Sequence, residues 1–257
     1  MAERAGHDGR PDRCPVAATG RLRATTIHFV SDSSAHRLRL TGFGAVLAAA
    51  LLIAPVVIPA GTPGAVAPAG AACADAEVVF ARGRLESPGA GAVGNAFVSA
   101  LRSKSSKNIS VYAVNYPADN QIDQGANDMS AHIQKTINGC PNTRIVPAGY
   151  SLGAAVTDVV LAVPFSVFGF TNPLPPGADE HIAAVALFGN GSQWVGPITN
   201  FNPIYNDRTI EQCHGADPVC NPADPNTWQD NWPQHLAGAY ISSGMVGQAA
   251  DFVAGKL

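Results

Sequence analysis

The sequence predicts a three-layer α/β fold, in which helices cover both faces of a mostly parallel, five-stranded sheet. Short β-branched and apolar runs alternate with longer segments of helical periodicity, which is the order expected of βα units. The run 182–188 (IAAVALF) is apolar throughout, as expected of a strand that is covered on both faces. Hydrophobic residues make up 46% of the 257 residues and charged residues 14%, which indicates one well-packed domain.

The first predicted elements alternate between strand and helix. Residues 77–80 predict a strand that ends at Arg82-Gly83, and residues 109–114 predict the next strand. Between them lies a helix whose apolar residues recur at helical spacing: Val93, Phe97, Ala100 and Leu101. Residues 120–138 read as a mostly polar helix.

The second half of the chain continues the alternation. Residues 143–146 predict a strand and residues 154–160 a helix, which Pro164 ends. An apolar loop rich in Pro and Gly, residues 165–178, precedes the strand 182–188. A short strand is predicted at 208–213. One final helix is predicted from Leu236, with an apolar stripe formed by Ile241, Met245, Ala249 and Phe252.

Residues 1–71 predict a leader rather than a part of the domain. Arg37 and Arg39 precede an apolar core at about 42–60, and a Pro- and Ala-rich stretch ends at Ala69-Gly70-Ala71. This is the layout of a secretory signal peptide with an A-x-A cleavage site. A retained membrane anchor is the alternative, although Pro55 and Pro59 interrupt the apolar run and no basic cluster follows it.

The polar segment 1–30 is unusually long for the start of a signal peptide. A misassigned start is one hypothesis, since translation from a non-ATG codon at Val30 would leave a signal peptide of ordinary length. The domain itself is predicted to span residues 72–257, and we expect it to be secreted.

The charge balance of residues 72–257 argues against a nucleic-acid partner. This part of the chain holds nine basic and fifteen acidic residues, a net charge of −6 with histidine neutral. Binding to phosphate backbones needs a clustered basic face, and this sequence has none.

Four cysteines remain once Cys14 of the leader is set aside. An even number in a secreted chain predicts two disulfides, for which three pairings are open from sequence alone. The close pair Cys213 and Cys220 most simply closes a small loop, which leaves Cys73 and Cys140 for each other. A zinc site is the alternative, but no Cys-x-x-Cys pair is present.

The segment Gly149-Tyr150-Ser151-Leu152-Gly153 joins a predicted strand to a predicted helix. In that setting Gly-x-Ser-x-Gly is the pattern of a nucleophile elbow, in which the serine projects from a tight turn. The glycines leave room for a turn in which a Cβ would clash. We therefore predict that Ser151 is a nucleophile; the alternative is a strand-to-helix turn that happens to contain a serine.

A serine nucleophile needs a general base that is itself oriented by an acid. His235 lies in a predicted loop before the last helix and follows Ser151 in the Ser–Asp–His order of α/β-hydrolases. Asp217 lies inside the predicted small disulfide loop, which would hold its carboxylate rigidly. A turn-stabilising role is the alternative for Asp217. The other acids in this stretch that could orient the base are Asp207, Asp224 and Asp230.

Four motifs in fixed order resemble one known family. They are Phe80-Ala81-Arg82-Gly83, the Gly149–Gly153 segment, the Cys-x3-Asp-x2-Cys loop around Asp217, and His235-Leu236. Together they resemble the cutinase family, and most closely the secreted cutinase-like proteins of mycobacteria and related actinobacteria. The similarity covers about residues 72–257. It implies an α/β-hydrolase fold without a large lid, and hydrolysis of carboxylic esters without a metal or organic cofactor.

The resemblance also implies a role for individual residues. Ser151 would be the nucleophile, His235 its base and Asp217 the orienting acid. The backbone N–H groups of Leu152 and Arg84 would form the oxyanion hole. The disulfides implied by the family are Cys73–Cys140 and Cys213–Cys220.

Arg84 departs from the family pattern, which has a serine or threonine there. That hydroxyl helps to orient the oxyanion hole, and losing one donor of such a hole costs on the order of 3 kcal/mol in the activation barrier. The backbone N–H of Arg84 remains, so we expect lower activity rather than none. Its guanidinium would meet an anionic head group or a carboxylate such as Glu86, or else lie solvated at the surface.

We expect a secreted, monomeric serine esterase that acts on short- to medium-chain acyl esters of lipid or cutin-like type. The apolar loop 165–176 is the expected wall of the acyl pocket through Phe165, Phe168 and Phe170, unless these rings pack under the loop. Polysaccharide acetyl esterase and phospholipase activities are alternatives on the same fold. A catalytically weak, cell-wall-associated binding or antigenic protein is a further alternative, and we expect association with a cell-wall or membrane surface.

Overall fold

The structure is a computed structural model that describes residues 72–194, 197–221 and 224–257. The predicted leader, with its signal peptide and the apolar core at 42–60, lies outside the described residues. Within the described residues, no helix is both long enough and apolar enough to cross a membrane.

In this part of the chain, five strands form one sheet in which every neighbouring pair is parallel. The strands are β1 (Ala76–Ala81), β2 (Ile109–Ala113), β3 (Arg144–Tyr150), β4 (Val185–Phe188) and β5 (Thr209–Gln212). Their order in the sheet is β2-β1-β3-β4-β5. The chain leaves β1 toward one edge and β3 toward the other, so the strand order reverses between these two neighbours. Crevices at such switch points are where open α/β sheets bind ligands.

Helices cover both faces of the sheet, so the predicted three-layer fold is confirmed. The described α-helices are α1 (Gly91–Lys104), α2 (Ile122–Gly139), α3 (Leu152–Ala162), α4 (Ile198–Phe201), α5 (Trp228–His235), α6 (Ala237–Ser242) and α7 (Met245–Ala254). Helices α1, α6 and α7 pack on one face, and α2 and α3 pack on the other.

Alternating side chains of β1 show how the two cores form. Val78 and Phe80 are buried in the core with α1 and α7, whereas Val79 is buried in the core with α2 and α3. Because both faces are covered, the strand needs apolar residues at successive positions rather than at every second one. Full burial of each such side chain stabilises the fold by roughly 1.5–3 kcal/mol.

Two predicted elements have different limits in the structure. The predicted strand 182–188 is regular only over Val185–Phe188, and Ile182 forms an isolated bridge with Ile145. The single C-terminal helix predicted from Leu236 is wrong, because the chain forms α6 and α7 instead. Gly244 separates them with φ of 84°, a left-handed conformation that a continuous helix excludes.

Both predicted disulfides are present. Cys73–Cys140 ties the segment before β1 to the residue that follows α2, with a Cα–Cα distance of 5.6 Å. Cys213–Cys220, with a Cα–Cα distance of 5.8 Å, closes a loop directly after β5. The second loop contains Asp217 and lies at the carboxyl edge of the sheet.

Candidate active site

Ser151 lies at the tip of the turn between β3 and α3. Its φ of 56° and ψ of −119° are rare for a residue with a side chain. A Cβ on Gly149 would lie 2.2 Å from the carbonyl oxygen of Gly153, and a Cβ on Gly153 would lie 1.9 Å from that of Ala81. The flanking glycines are therefore required for space, and the turn has the tight geometry that the motif predicts.

A chain of hydrogen bonds joins the three residues singled out in the sequence. Nε2 of His235 lies 2.8 Å from Oγ of Ser151. Nδ1 of the same ring lies 2.7 Å from Oδ2 of Asp217. His235 and Asp217 are both buried, so the two interactions are shielded from water. This arrangement allows proton transfer from the serine hydroxyl to the imidazole.

Asp217 and His235 come from separate segments that converge on Ser151. Asp217 lies in the disulfide loop after β5, where the N–H of Val219 donates to its Oδ1 at 2.7 Å. His235 is the last residue of α5, not part of the predicted irregular loop. Pro233 favoured a loop in the sequence, but a proline near the end of a short helix leaves the earlier turns of that helix intact. The carbonyl oxygen of Pro233 still accepts a hydrogen bond from the N–H of Leu236.

The alternative acids and bases have other surroundings. Asp224 accepts a hydrogen bond from the N–H of Asn226 at the start of a short 3-10 turn. His132 of α2 lies 3.1 Å from Glu77 of β1, and His181 lies 3.1 Å from the carbonyl oxygen of Pro141. Within the described residues, no carboxylate other than that of Asp217 contacts His235.

Asp217 is ionised in spite of its burial. Loss of water around the carboxylate raises its pKa, but hydrogen bonds from His235, Tyr240 and the N–H of Val219 outweigh that effect and hold the pKa below its ordinary value. The donor from Tyr240 is its phenol, whose own pKa is raised by burial and by the charge of Asp217. The phenol therefore stays protonated and continues to donate.

Two further residues hold the imidazole in place. The phenol of Tyr150 donates to the backbone carbonyl of His235, and the two rings stack with centroids 5.4 Å apart. Gly189, directly after β4, has φ of 57°, and a Cβ there would lie 3.0 Å from Cε1 of His235. Sequence reasoning missed Tyr150, Tyr240 and Gly189. Tyr150 at least lies inside the elbow motif, whereas Tyr240 and Gly189 carry no motif.

The loop after β1 lies beside the elbow and is fixed by buried hydrogen bonds. The buried guanidinium of Arg82 donates to the backbone carbonyls of Glu86, Val114 and Tyr116. The carboxylate of Glu86 accepts from the N–H of Gly83 at 2.6 Å and from the N–H of Ala92, at the start of α1, at 2.9 Å. Residues 82–86 thus have little freedom to move against the sheet.

This loop carries one of the two expected oxyanion donors. A Cβ on Gly153 would lie 2.6 Å from the carbonyl oxygen of Arg82, so the loop and the first turn of α3 are in contact. Within the described residues, neither the N–H of Arg84 nor that of Leu152 donates a hydrogen bond. Both groups belong to segments that begin at the carboxyl ends of adjacent strands, β1 and β3.

Comparisons with known proteins identify the family of this chain. A family model described as Cutinase matches residues 72–257. The chain belongs to the cutinase family. It is a carboxylic ester hydrolase, and the sequence resemblance is confirmed.

Relatives within this family include two mycobacterial proteins. The chain is 77% identical over 229 residues to "Probable carboxylesterase Culp2" of Mycobacterium bovis, a match that covers 89% of this chain and 100% of the relative. It is 45% identical over 247 residues to "Phospholipase Culp4" of Mycobacterium tuberculosis, covering 95% and 98% of the two chains. Among solved structures, a Trichoderma reesei cutinase in complex with a C11Y4 phosphonate inhibitor is 29% identical, with a TM-score of 0.54 over 70% of this chain and 75% of that chain.

In this cutinase-family protein a cavity of about 340 Å³ lies beside Ser151. Its apolar lining comes from Leu85, Trp232 and Leu236, all of which are exposed to solvent. The remaining lining residues are Arg84, Glu86, Tyr150, Ser151, His235 and Ala237. The cavity therefore combines an apolar rim with the Ser151–His235 pair.

The structure does not bring the three predicted pocket phenylalanines to this cavity. Phe170 is 2% exposed and packs in the core with α2, while Phe165 is 61% and Phe168 98% exposed. The side chain of Asn127 on α2 hydrogen-bonds the backbone at Gly169 and Thr171 and so holds this loop against α2. The rest of the loop borders a separate cavity of about 380 Å³, through Leu174, Pro175 and Pro176.

Proposed function

We propose that this protein hydrolyses carboxylic esters through a covalent acyl-enzyme on Ser151. The observation that carries the proposal is the continuous hydrogen-bond chain from Asp217 through His235 to Ser151, at 2.7 and 2.8 Å. Such a chain raises the nucleophilicity of a serine hydroxyl and stabilises the imidazolium that forms. The phosphonate inhibitor bound to the Trichoderma reesei cutinase is in keeping with this chemistry.

The reaction has two halves that use the same groups. Oγ of Ser151 attacks the ester carbonyl carbon while Nε2 of His235 takes its proton, and the N–H groups of Leu152 and Arg84 hold the oxyanion. Collapse of the tetrahedral intermediate breaks the bond to the alcohol, which leaves with the proton from His235. Water then attacks the acyl-enzyme, gives a proton to His235, and the acid departs as Ser151 regains its hydrogen.

Short- to medium-chain acyl esters of lipid or cutin-like type suit the site best. The cavity of about 340 Å³ has exposed apolar walls, and its rim side chains Leu85, Trp232 and Leu236 are placed to meet an amphiphilic substrate at a surface. Phospholipase activity is a second candidate, favoured by the 45% identity to a relative with that name. Polysaccharide deacetylation and a catalytically weak binding role are outcomes that the experiment below separates.

We also propose that the domain acts outside the cell as a monomer, associated with a cell-wall or membrane surface. Two disulfides within residues 72–257 favour an oxidising compartment. The exposed rim of the cavity provides the surface for such an association.

Hydrolysis of p-nitrophenyl esters across acyl lengths tests the proposal. Ser151→Ala is expected to lower kcat by about 10⁴-fold or more, whereas Ser103→Ala, at an exposed serine of α1, should match wild type. A fluorophosphonate probe should label wild type at the Ser151 peptide and leave Ser151→Ala unlabelled. Turnover that persists in Ser151→Ala would contradict the proposal.

The acyl-length profile distinguishes the candidate activities. An optimum at acetyl favours a deacetylase, and an optimum at longer chains favours a lipid or cutin-type esterase. A folded wild-type protein that neither turns over any ester nor reacts with the probe would favour the binding role.

A further inference from the structure

Arg84 differs from every other arginine of the described residues in its bonding. The other four each donate to backbone carbonyl oxygens: Arg82, Arg102, Arg144 and Arg208. In the same part of the chain, no hydrogen bond, ion pair or ring contact involves the guanidinium of Arg84. This free cation lines the cavity that contains Ser151 and His235.

The acids near the cavity do not neutralise Arg84. Both carboxylate oxygens of Glu86 are bound by N–H groups, those of Gly83 and Ala92, which hold the carboxylate toward α1. Asp217 is buried and interacts with His235. Among the described residues that line the cavity, Arg84 is therefore the cation that remains unpaired, and Glu86, the acid there, has both oxygens occupied by N–H donors.

The backbone that carries Arg84 is fixed before any ligand binds. Arg82 anchors one end of the segment through three backbone carbonyls, and the N–H of Leu85 donates to the carbonyl of Ala118 at 2.7 Å. The side chain thus departs from a defined point beside the reacting serine. A charged group held in this way loses little backbone entropy when it binds an anion.

We propose that Arg84 forms an anion subsite, which makes esters with a phosphate or carboxylate group near the scissile bond the preferred substrates. The inference rests on the proposed function, since it concerns the same cavity. A guanidinium presents a planar fork of donors that matches either anion with two hydrogen bonds. The apolar rim formed by Leu85, Trp232 and Leu236 would hold the hydrocarbon part of the same molecule. The substrate class is an amphiphilic ester that carries a negative charge.

Matched pairs of soluble esters test this subsite on the full-length protein. In the phosphate arm, monobutyrylglycerol phosphate is compared with monobutyrylglycerol; in the carboxylate arm, butyryloxybutanoate is compared with butyl butyrate. The measured quantity is the ratio of kcat/KM for the anionic ester to that for its neutral partner, from butyrate release. Because the ratio is taken within each variant, a general change in the oxyanion hole cancels.

Wild type is expected to favour the anionic ester by roughly tenfold or more, and raising the salt should reduce that ratio. Arg84→Gln should bring the ratio close to one, and Arg84→Lys should retain part of the preference. Lys107→Gln removes one exposed positive charge just before β2, at the amino ends of the strands and away from the cavity. It should leave the ratio unchanged. A preference in both arms supports a general anion subsite, and one confined to phosphate identifies the phosphate ester as the ligand.

A wild-type ratio of one or less would overturn the inference, and so would a preference that Arg84→Gln retains. A failure of the proposed function would give a different result. If Ser151 were not the nucleophile, the neutral esters would be hydrolysed equally well by wild type and by Ser151→Ala.

Discussion

The phenol of Tyr240 donates a hydrogen bond to Oδ2 of Asp217, the same oxygen that lies 2.7 Å from Nδ1 of His235. Tyr240 is fully buried, and its oxygen also accepts from the N–H of His214 at 3.3 Å. The other oxygen of Asp217 accepts from the N–H of Val219. Donors from three segments therefore fix the carboxylate before a substrate binds, as preorganised catalysis requires.

Tyr240→Phe is expected to lower kcat by about tenfold and to leave KM unchanged, because the phenol orients Asp217 without touching the substrate. The lost hydrogen bond, made to a buried and ionised carboxylate, should also cost about 1.5–3 kcal/mol in the free energy of unfolding. Since the phenol helps to hold the pKa of Asp217 down, its removal raises that pKa. Activity should then be lost at a higher pH on the acid side of the kcat profile than in wild type.

Tyr112→Phe is the matched control for this change. The phenol of Tyr112 donates to the carboxylate of Asp128 at 3.0 Å, far from the cavity, so the substitution removes the same type of bond. Stability should also fall, by less than for Tyr240→Phe because Tyr112 is only partly buried, while kcat and its pH profile stay those of wild type. If both variants lost activity in parallel with stability, Tyr240 would have only a structural role.

The two disulfides should separate stability from activity. Loop-closure entropy predicts a loss of about 4.5 kcal/mol when the Cys73–Cys140 bridge is removed, and of about 2.5 kcal/mol for Cys213–Cys220. Only the Cys213–Cys220 loop contains Asp217. Removal of this bridge should therefore lower kcat more than removal of Cys73–Cys140, although it costs less stability. Paired serine variants, compared by chemical denaturation and by ester hydrolysis, would show this. A larger loss of kcat in the Cys73/Cys140 variant would contradict it.

Much of the fold and of the candidate site could be predicted from local signals. The elbow motif is a local sequence pattern, because the space at Gly149 and Gly153 dictates glycine there. Ser151, Asp217 and His235 occur along the chain in the Ser–Asp–His order of α/β-hydrolases. The position of Asp217 inside a small disulfide loop distinguished it from the other acids. The parallel sheet was predicted from continuous apolar runs in the sequence. These runs occur because β1 and β4 are buried on both faces of the sheet.

The rest depends on packing between distant segments, which no local pattern records. Tyr240 reaches Asp217 only because α6 folds back onto the end of the sheet, and nothing in its own helix distinguishes it from a core tyrosine. The phenylalanines of the loop 165–176 were assigned by composition alone. The hydrogen bonds of Asn127 that hold that loop against α2 could not be read from the sequence.

Gly189→Ala should impair the site through contact with His235. The position has φ of 57°, and a Cβ there would lie 3.0 Å from both Cε1 of His235 and the oxygen of Tyr240. We expect a stability loss of about 1–2 kcal/mol from the left-handed backbone, together with a clear drop in kcat as the imidazole shifts.

Gly177→Ala is the control, since φ is 86° there and no atom lies within 4 Å of the added Cβ. It should lose stability and keep kcat, and equal effects of both variants on kcat would rule out the contact with His235 as the cause.

A buried acid on α3 should make the stability of the protein depend on pH. Oδ2 of Asp158 accepts hydrogen bonds from Nδ2 of Asn190 at 2.8 Å and from the hydroxyl of Ser192, whereas Oδ1 has no hydrogen-bond partner in the described part of the chain. Burial raises the pKa of Asp158 to about 7, and the two hydrogen bonds only partly offset this effect. The folded protein therefore keeps the proton of Asp158 at a pH where the unfolded chain has lost it.

The sign of the effect follows from proton binding. Between about pH 4 and about pH 7 the folded state binds more protons than the unfolded state, so the free energy of unfolding falls as the pH rises through this range. Because the pKa of Asp158 is about 7 in the folded state against an ordinary value of 3.8, full ionisation lowers the free energy of unfolding by about 4 kcal/mol. Asp158→Asn cannot ionise, so its free energy of unfolding relative to wild type should increase steadily from about pH 4 to about pH 7. Urea denaturation at several pH values measures this difference, with Asp251→Asn, at an exposed carboxylate paired with Lys104, as the control that should show no such trend. A wild-type-minus-variant difference that stays flat across this range would mean that Asp158 ionises normally in the folded protein.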